Sequence, residues 1–185
     1  MKKQNLFTTK KLCLCAIFCA ISYVVSLLEI PIFPHIGQKL DFSFALMLIA
    51  GYMLGPIYAE IIIIAVSLLG WIISSSFGIG QLANFVFANT FIMLPIILYK
   101  KRKGLKNVII SIIISSIITI AVALPFNRFI TFPLYEAFLP LTAQQTFNAS
   151  WHLIIIFNTL KCVSNAIIAI LLYKRLKSIL GFFTE

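Results

Sequence analysis

The stretch His152-Leu-Ile-Ile-Ile-Phe-Asn-Thr-Leu-Lys-Cys-Val-Ser-Asn-Ala-Ile-Ile-Ala-Ile-Leu-Leu-Tyr173 decides the class of fold. A helix needs ~20 mostly apolar residues to cross the hydrocarbon core of a bilayer. This run is that long and carries one charged residue, Lys161, with Lys174, Arg175 and Lys177 just beyond it. Working outward, five more runs of similar character precede it: about 12–28, 40–54, 57–75, 81–99 and 108–126. Counting 152–173, six spans of ~20 residues take up about two thirds of the chain and leave no room for a separate soluble domain. The expected fold class is all-α, a six-helix integral membrane bundle forming one transmembrane domain over 1–185. The second run is the weakest of the six. It is short, holds Asp41, Ser43 and Gly51, and meets the third at Gly55-Pro56, a pair that stops one helix and opens the next.

Composition agrees. Of the 185 residues 61% are hydrophobic and 11% charged, and the mean hydropathy is +1.05. A soluble domain is nearer half apolar and a quarter charged. These values exclude a disordered chain, a nucleic-acid-binding domain and an ordinary soluble enzyme. The 15 Lys+Arg against 5 Asp+Glu are distributed as a topology signal. Lys2, Lys3, Lys10 and Lys11 precede the first span; Lys100, Lys101, Arg102, Lys103 and Lys106 join the fourth and fifth; Lys174, Arg175 and Lys177 follow the sixth. Positive residues mark cytoplasmic loops, so an even number of spans puts both termini and all three clusters inside. The connections on the other side hold only Lys39 and Arg128. No small-x-small cleavage site follows the first apolar run, which reads as a retained span and not a signal peptide.

Enzymatic motifs are missing. There is no phosphate-binding Gly-Lys loop, no Gly-x-Ser-x-Gly elbow and no His-Glu-x-x-His or Cys/His metal spacing. The two histidines, His35 and His152, stand outside the interiors of the spans, so no serine there has an evident base. Cys13, Cys15, Cys19 and Cys162 sit in apolar runs and read as small buried side chains. No catalytic or metal-ligating residue is expected. A channel and an intramembrane enzyme remain as rival classes.

The informative residues are polar ones inside apolar spans. A lysine at a helix centre costs about 2.5–3.5 kcal/mol on insertion scales, and Lys161 is two to three turns from either interface. A polar cavity is favoured over a structural ion pair, because no acidic residue lies centrally in any span. Asn158 and Asn165, three before and four after Lys161, share its helical face. Asn158 and Lys161 would together offer an amide and an ammonium to one bound molecule. Asn165 would do the same or bond between helices. Asp41, Asn84, Asn127 and Arg128 fall at the outer ends of spans two, four and five and would line the same pocket. Phe42, Phe85, Phe126, Phe129 and Tyr135 lie beside these polar points, and flat apolar walls with a few aimed hydrogen bonds suit a planar heterocycle.

These pieces together resemble the substrate-binding (S) component of energy-coupling factor (ECF) vitamin transporters, over nearly the whole chain. Ala16-Ile-Phe-Cys-Ala20 is similar to that family's docking motif for the coupling subunit. Four further motifs resemble riboflavin-type members most: Lys39-Leu-Asp-Phe-Ser43, Gly80-Gln-Leu-Ala-Asn-Phe85, Asn127 with Pro133-Leu-Tyr135, and Phe157-Asn-Thr-Leu-Lys161. The resemblance implies that Asn127, Asn158 and Lys161 hydrogen-bond the vitamin, and that Gly37, Gln38, Lys39 and Leu40 contribute backbone contacts. It implies that Ala16 and Ala20 meet a transmembrane coupling subunit, that two partner ATPase subunits hydrolyse ATP, and that riboflavin is cargo, with no cofactor. A prokaryotic plasma membrane is the expected location. The chain departs from the riboflavin-type pattern at Gln81, which replaces a glutamate. It departs again at Phe44-Ala-Leu, where Asp-Ile-Pro is usual, and near Ser67-Leu68, where a Lys-Asn pair is missing. Another vitamin, such as pantothenate, is the alternative ligand.

Overall fold

A computed structural model describes residues 8–74, 78–101, 104–136 and 141–183. Lys2, Lys3, Ser75, Arg102 and Lys103 of the expected clusters and spans lie outside the described residues. The helices are α1 (Thr9–Leu27), α2 (Ser43–Leu54), α3 (Pro56–Ile73), α4 (Ile79–Lys101), α5 (Leu105–Phe126), the four-residue α6 (Phe132–Tyr135) and α7 (Ala143–Phe183). Among the described residues five segments are long and apolar enough to cross a membrane: α1, α3, α4, the α5–α6 continuation and α7.

The sixth long helix of the expected set is different in kind. Helix α2 has 12 residues, about 18 Å at 1.5 Å per residue, well short of the ~30 Å hydrocarbon core. All its residues but Leu46 are buried, and it packs against α1, α3, α4 and α7. It is the central post of the bundle. Gly51 makes one close approach possible: a Cβ there would stand 2.0 Å from Ile96 Cδ1 and 3.1 Å from Ala59 Cβ. The turn into α3 passes through Gly55 at φ +98°, a conformation that favours glycine, with Pro56 opening the helix.

Three features depart from the expected spans. Between α1 and α2 the chain forms a small antiparallel hairpin, β1 (Ile30–Phe33) and β2 (Gln38–Leu40), joined by a 3-10 turn over Pro34–Ile36. Its turn closes at Gly37, φ +70°. Helix α5 does not stop at Phe126: a π-helical segment, Asn127–Thr131, leads directly into α6. Pro125 and Pro133 each lack a backbone N–H, which favours this local rearrangement. Finally, α7 begins at Ala143, nine residues before the apolar run. Thr142 N donates to Gln145 Oε1 (3.2 Å) and Gln145 N donates to Thr142 Oγ1 (3.4 Å), a capping box that starts the helix among polar residues.

The outer faces are apolar where a lipid-facing bundle requires it. Ile61, Ile64, Leu68 and Ile72 of α3, and Ile110, Ile113, Ile114 and Ile117 of α5, are exposed. At one end of the bundle Tyr52 of α2, Tyr99 of α4 and Tyr173 of α7 pack ring against ring, with centroids 4.9–5.8 Å apart. That end carries Lys106 at the start of α5, with Lys174 and Arg175 following Tyr173 on α7. The cavity described next opens at the other.

Candidate functional site

The hairpin, the C-terminal ends of α1 and α3, the N-terminal half of α4, the α5–α6 junction and the middle of α7 enclose a cavity of about 510 Å³. Small-molecule pockets run ~300–1,000 Å³. Gly37, Gln38 and Lys39 line it from the hairpin, Asn84 from α4, Asn127 from the π segment and Lys161 from α7. Asp41, Gln81 and Thr131 line it too. Elements distant in sequence thus deliver polar groups to one cavity that aromatic and aliphatic side chains also wall.

Lys161 is 3% exposed and fully engaged on its protein side. Its Nζ donates to Asp41 Oδ2 (2.8 Å) and to Asn84 Oδ1 (2.7 Å), and lies 4.4 Å from the centroid of the Phe44 ring. This corrects the expectation that no carboxylate could reach it. Asp41 precedes the helix α2 in sequence, but because α2 is short its N-terminal end lies deep in the bundle, level with Lys161. Cavity and ion pair are therefore not rivals: the pair is part of the cavity wall. Asp41 is held in turn by Ser43, whose backbone N donates to Oδ1 at 3.0 Å and whose hydroxyl donates to the same oxygen.

Asn165 is an interhelical brace. Its Oδ1 accepts from Ala45 N (2.9 Å), and its Nδ2 donates to Asp41 O (2.9 Å) and Lys161 O (3.0 Å). The α2 entry is thereby fixed to α7 one turn from Lys161. Of the two roles open to Asn165 in the sequence, bonding between helices is the one observed.

The geometry defines what the wall presents inward. An ammonium has three N–H donors; two go to Asp41 and Asn84, leaving one without a hydrogen-bond acceptor among the described residues. Asn84 spends its carbonyl on Lys161, so its amide N–H groups remain. Asn127, 1% exposed, donates Nδ2 to Ala123 O (2.7 Å), and its Oδ1 is buried without a partner among the described residues. Thr131 Oγ1, four residues on, is also buried and unpartnered. A buried polar atom left unpaired costs about 1–3 kcal/mol, and both of these belong to residues of the cavity lining. Thr131 was not evident in the sequence; only the π segment gives it this placement.

The other expected residues fall as follows. Asn158 is buried, and its Nδ2 donates to Ile154 O (2.9 Å); Phe157, its neighbour, lines the cavity. Leu40 is buried and pairs with Ile30 in the hairpin. The aromatic walls are Phe87, Phe132, Phe157 and Tyr135; of the aromatics singled out in the sequence only Tyr135 is among them, and Phe129 is 69% exposed. Gln81 packs over Gly70, where a Cβ would stand 2.9 Å from its amide carbon. Ala16 and Ala20 are exposed on α1, beside Ile17, Ile21 and Val24. No cluster of three or more metal-binding side chains occurs among the described residues.

Comparison with known proteins gives a consistent result. The family model for the substrate-specific component of ECF transporters matches residues 10–174. The riboflavin transporter RibU of Staphylococcus aureus (strain TCH60) is 31% identical over 184 residues, covering 97% of this chain and 96% of the relative. The riboflavin transporter FmnP of Bacillus subtilis (strain 168) is 29% identical over 135 residues, 70% of each chain. A solved S component of a bacterial ECF transporter superposes with a TM-score of 0.76 at 29% identity, covering 92% of this chain and 97% of that one.

Proposed function

The chain belongs to the substrate-specific components of ECF transporters, and on that premise we propose that it captures riboflavin for import. As a family member it is a multi-pass protein of the cell membrane that works with an energy-coupling module. It performs no chemistry of its own; ATP hydrolysis belongs to the module. In our reading the module comprises a transmembrane coupling subunit and two ATPases, and Ala16 and Ala20 on the exposed face of α1 meet the coupling subunit. Small residues four apart let a second helix approach closely. Both termini lie inside the cell, and the cavity, at the end opposite the lysine-rich connections, opens outward.

The observation that carries the ligand assignment is the polar set on the cavity wall beside the aromatic rings of Phe87, Phe132 and Phe157. The remaining donor of Lys161 and the amide of Asn84 suit ligand carbonyl or ring-nitrogen acceptors. Asn127 Oδ1 suits a ligand N–H, and the Thr131 hydroxyl suits either. A flavin ring alternates acceptors and an N–H along its pyrimidine edge and offers two flat apolar faces to Phe87, Phe132 and Phe157. Gly37, Gln38 and Lys39 close the space from the hairpin, with Leu40 buried behind them, and Asn158 supports the Lys161 face from one turn away. Riboflavin transport by relatives matched over most of the chain favours this ligand over pantothenate, which has no planar ring.

Purification of the chain alone in detergent tests the proposal. Co-purifying yellow flavin, or saturable quenching of riboflavin fluorescence by the colourless protein, is the expected result. A protein that binds another vitamin from a panel and ignores riboflavin would overturn it.

A further inference from the structure

Four side chains lining the cavity form two ion pairs. Lys161 is paired with Asp41 at depth, and at the rim Lys39 Nζ lies 2.6 Å from Glu29 Oε2. Two lysines against two carboxylates leave a formal charge of zero, and no other Lys, Arg, Asp or Glu lines the cavity among the described residues. Residues 75–77 and 137–140 contain no charged residue either. His35 also lines the space and adds charge only when protonated.

We infer that Glu29 is a specificity-determining residue: by neutralising Lys39 at the rim it denies the cavity a free cation, so the site takes an uncharged ligand and discriminates against its phosphate ester. This deepens the riboflavin reading and rests on it. The two ends of the cavity are not equivalent for a phosphate group. At depth, the dianion would have to be stripped of water beside Asp41, whose carboxylate repels it, a cost that burial makes prohibitive. At the rim, the Lys39 and Glu29 side chains are 56% and 30% exposed, so a phosphate keeps part of its hydration and needs only a cation. Lysine binds phosphate well as a point charge, but the one available is already committed to Glu29. Exposed pairs are weak and screened, which is why removing the carboxylate shifts selectivity without rebuilding the site.

The test is fluorescence titration of the purified chain at pH 8 with riboflavin and with riboflavin 5′-phosphate, in wild type, Glu29→Gln and Glu29→Gln/Lys39→Gln. Wild type is expected to prefer riboflavin. Glu29→Gln should narrow the affinity ratio roughly three- to tenfold through tighter binding of the ester, and the gain should fade at high salt. Adding Lys39→Gln should return the ratio to its wild-type value. A ratio unmoved by Glu29→Gln, or a wild type that binds the ester as tightly as riboflavin, would overturn the inference while leaving riboflavin capture intact. A wild type that binds neither flavin would instead bring down the functional reading, and the inference with it.

Discussion

Replacing Lys161 by methionine separates two roles that one side chain performs. The pair it forms with Asp41 is almost wholly buried, at 4% and 6% side-chain exposure. Lys161→Met keeps the apolar stem of the side chain but leaves Asp41 charged, with only the two donors of Ser43 for compensation. Removing one partner of a buried pair costs about 3–5 kcal/mol, so the single variant should melt much earlier than wild type. Adding Asp41→Asn removes the stranded charge. The new amide still accepts from Ser43 and can donate where the ammonium did, so most of the lost stability should return. Affinity behaves otherwise. The third N–H of the ammonium is absent from both variants, and a hydrogen bond from a charged group is worth about 1.5–3 kcal/mol, roughly 10- to 100-fold in Kd. Thermal unfolding in detergent reads the first quantity and quenching of riboflavin fluorescence the second. Wild-type affinity in the double variant would show that Lys161 serves only to neutralise Asp41, and the pocket assignment would fail. A single variant as stable as wild type would refute the energetic account of the pair.

Three other outcomes follow from the packing. Thr131→Val removes a hydroxyl that has no protein partner, so the ligand-free protein should be as stable as wild type or slightly more so, while riboflavin binds about fivefold more weakly; unchanged binding would place the hydroxyl outside the ligand's reach. Gly51→Val drives side-chain carbon into Ile96, an overpacking expected to cost about 1–3 kcal/mol and readable as a lower Tm, with recovery when Ile96→Ala is added. Ala20→Phe on the exposed face of α1 should leave riboflavin binding by the isolated chain unaltered but abolish uptake by cells expressing the whole transporter; normal uptake would argue against that face as the docking surface.

Much of the architecture was legible because lipid imposes length and apolarity on helices that meet it. The runs at 57–75, 81–99 and 152–173 show this directly. What escaped has local physical reasons. Helix α2 is shielded from lipid by its neighbours, so its sequence obeys packing and not bilayer thickness, and Asp41 before it looked peripheral though it lies deep. The hairpin has strands of four and three residues around two prolines, too short for an alternating pattern. The early start of α7 had a readable signal in Thr142-Ala-Gln-Gln145, a capping box followed by residues polar enough to pass for a loop. Lys161 was conspicuous because a charge in an apolar run needs a reason. Thr131 was not, since a threonine at the end of a span is unremarkable until a π segment turns it inward. Asn127 stood out by its position after Pro125 and by the family motif it completes.

The shortness of α2 bears on the order in which the protein is made. An 18 Å helix flanked by a buried aspartate is a poor substrate for independent insertion, which selects segments near the full bilayer thickness. The groups that stabilise its entry, Lys161 and Asn165, belong to α7, 120 residues further along the chain. The Asp41–Lys161 pair and the Asn165 brace can therefore form only once α7 has been made. Helix α7 supplies the cation and the amide that hold Asp41 at its depth. The cavity takes Phe157 and Lys161 from α7, so a chain interrupted before α7 would lack that wall and leave Asp41 without its cation.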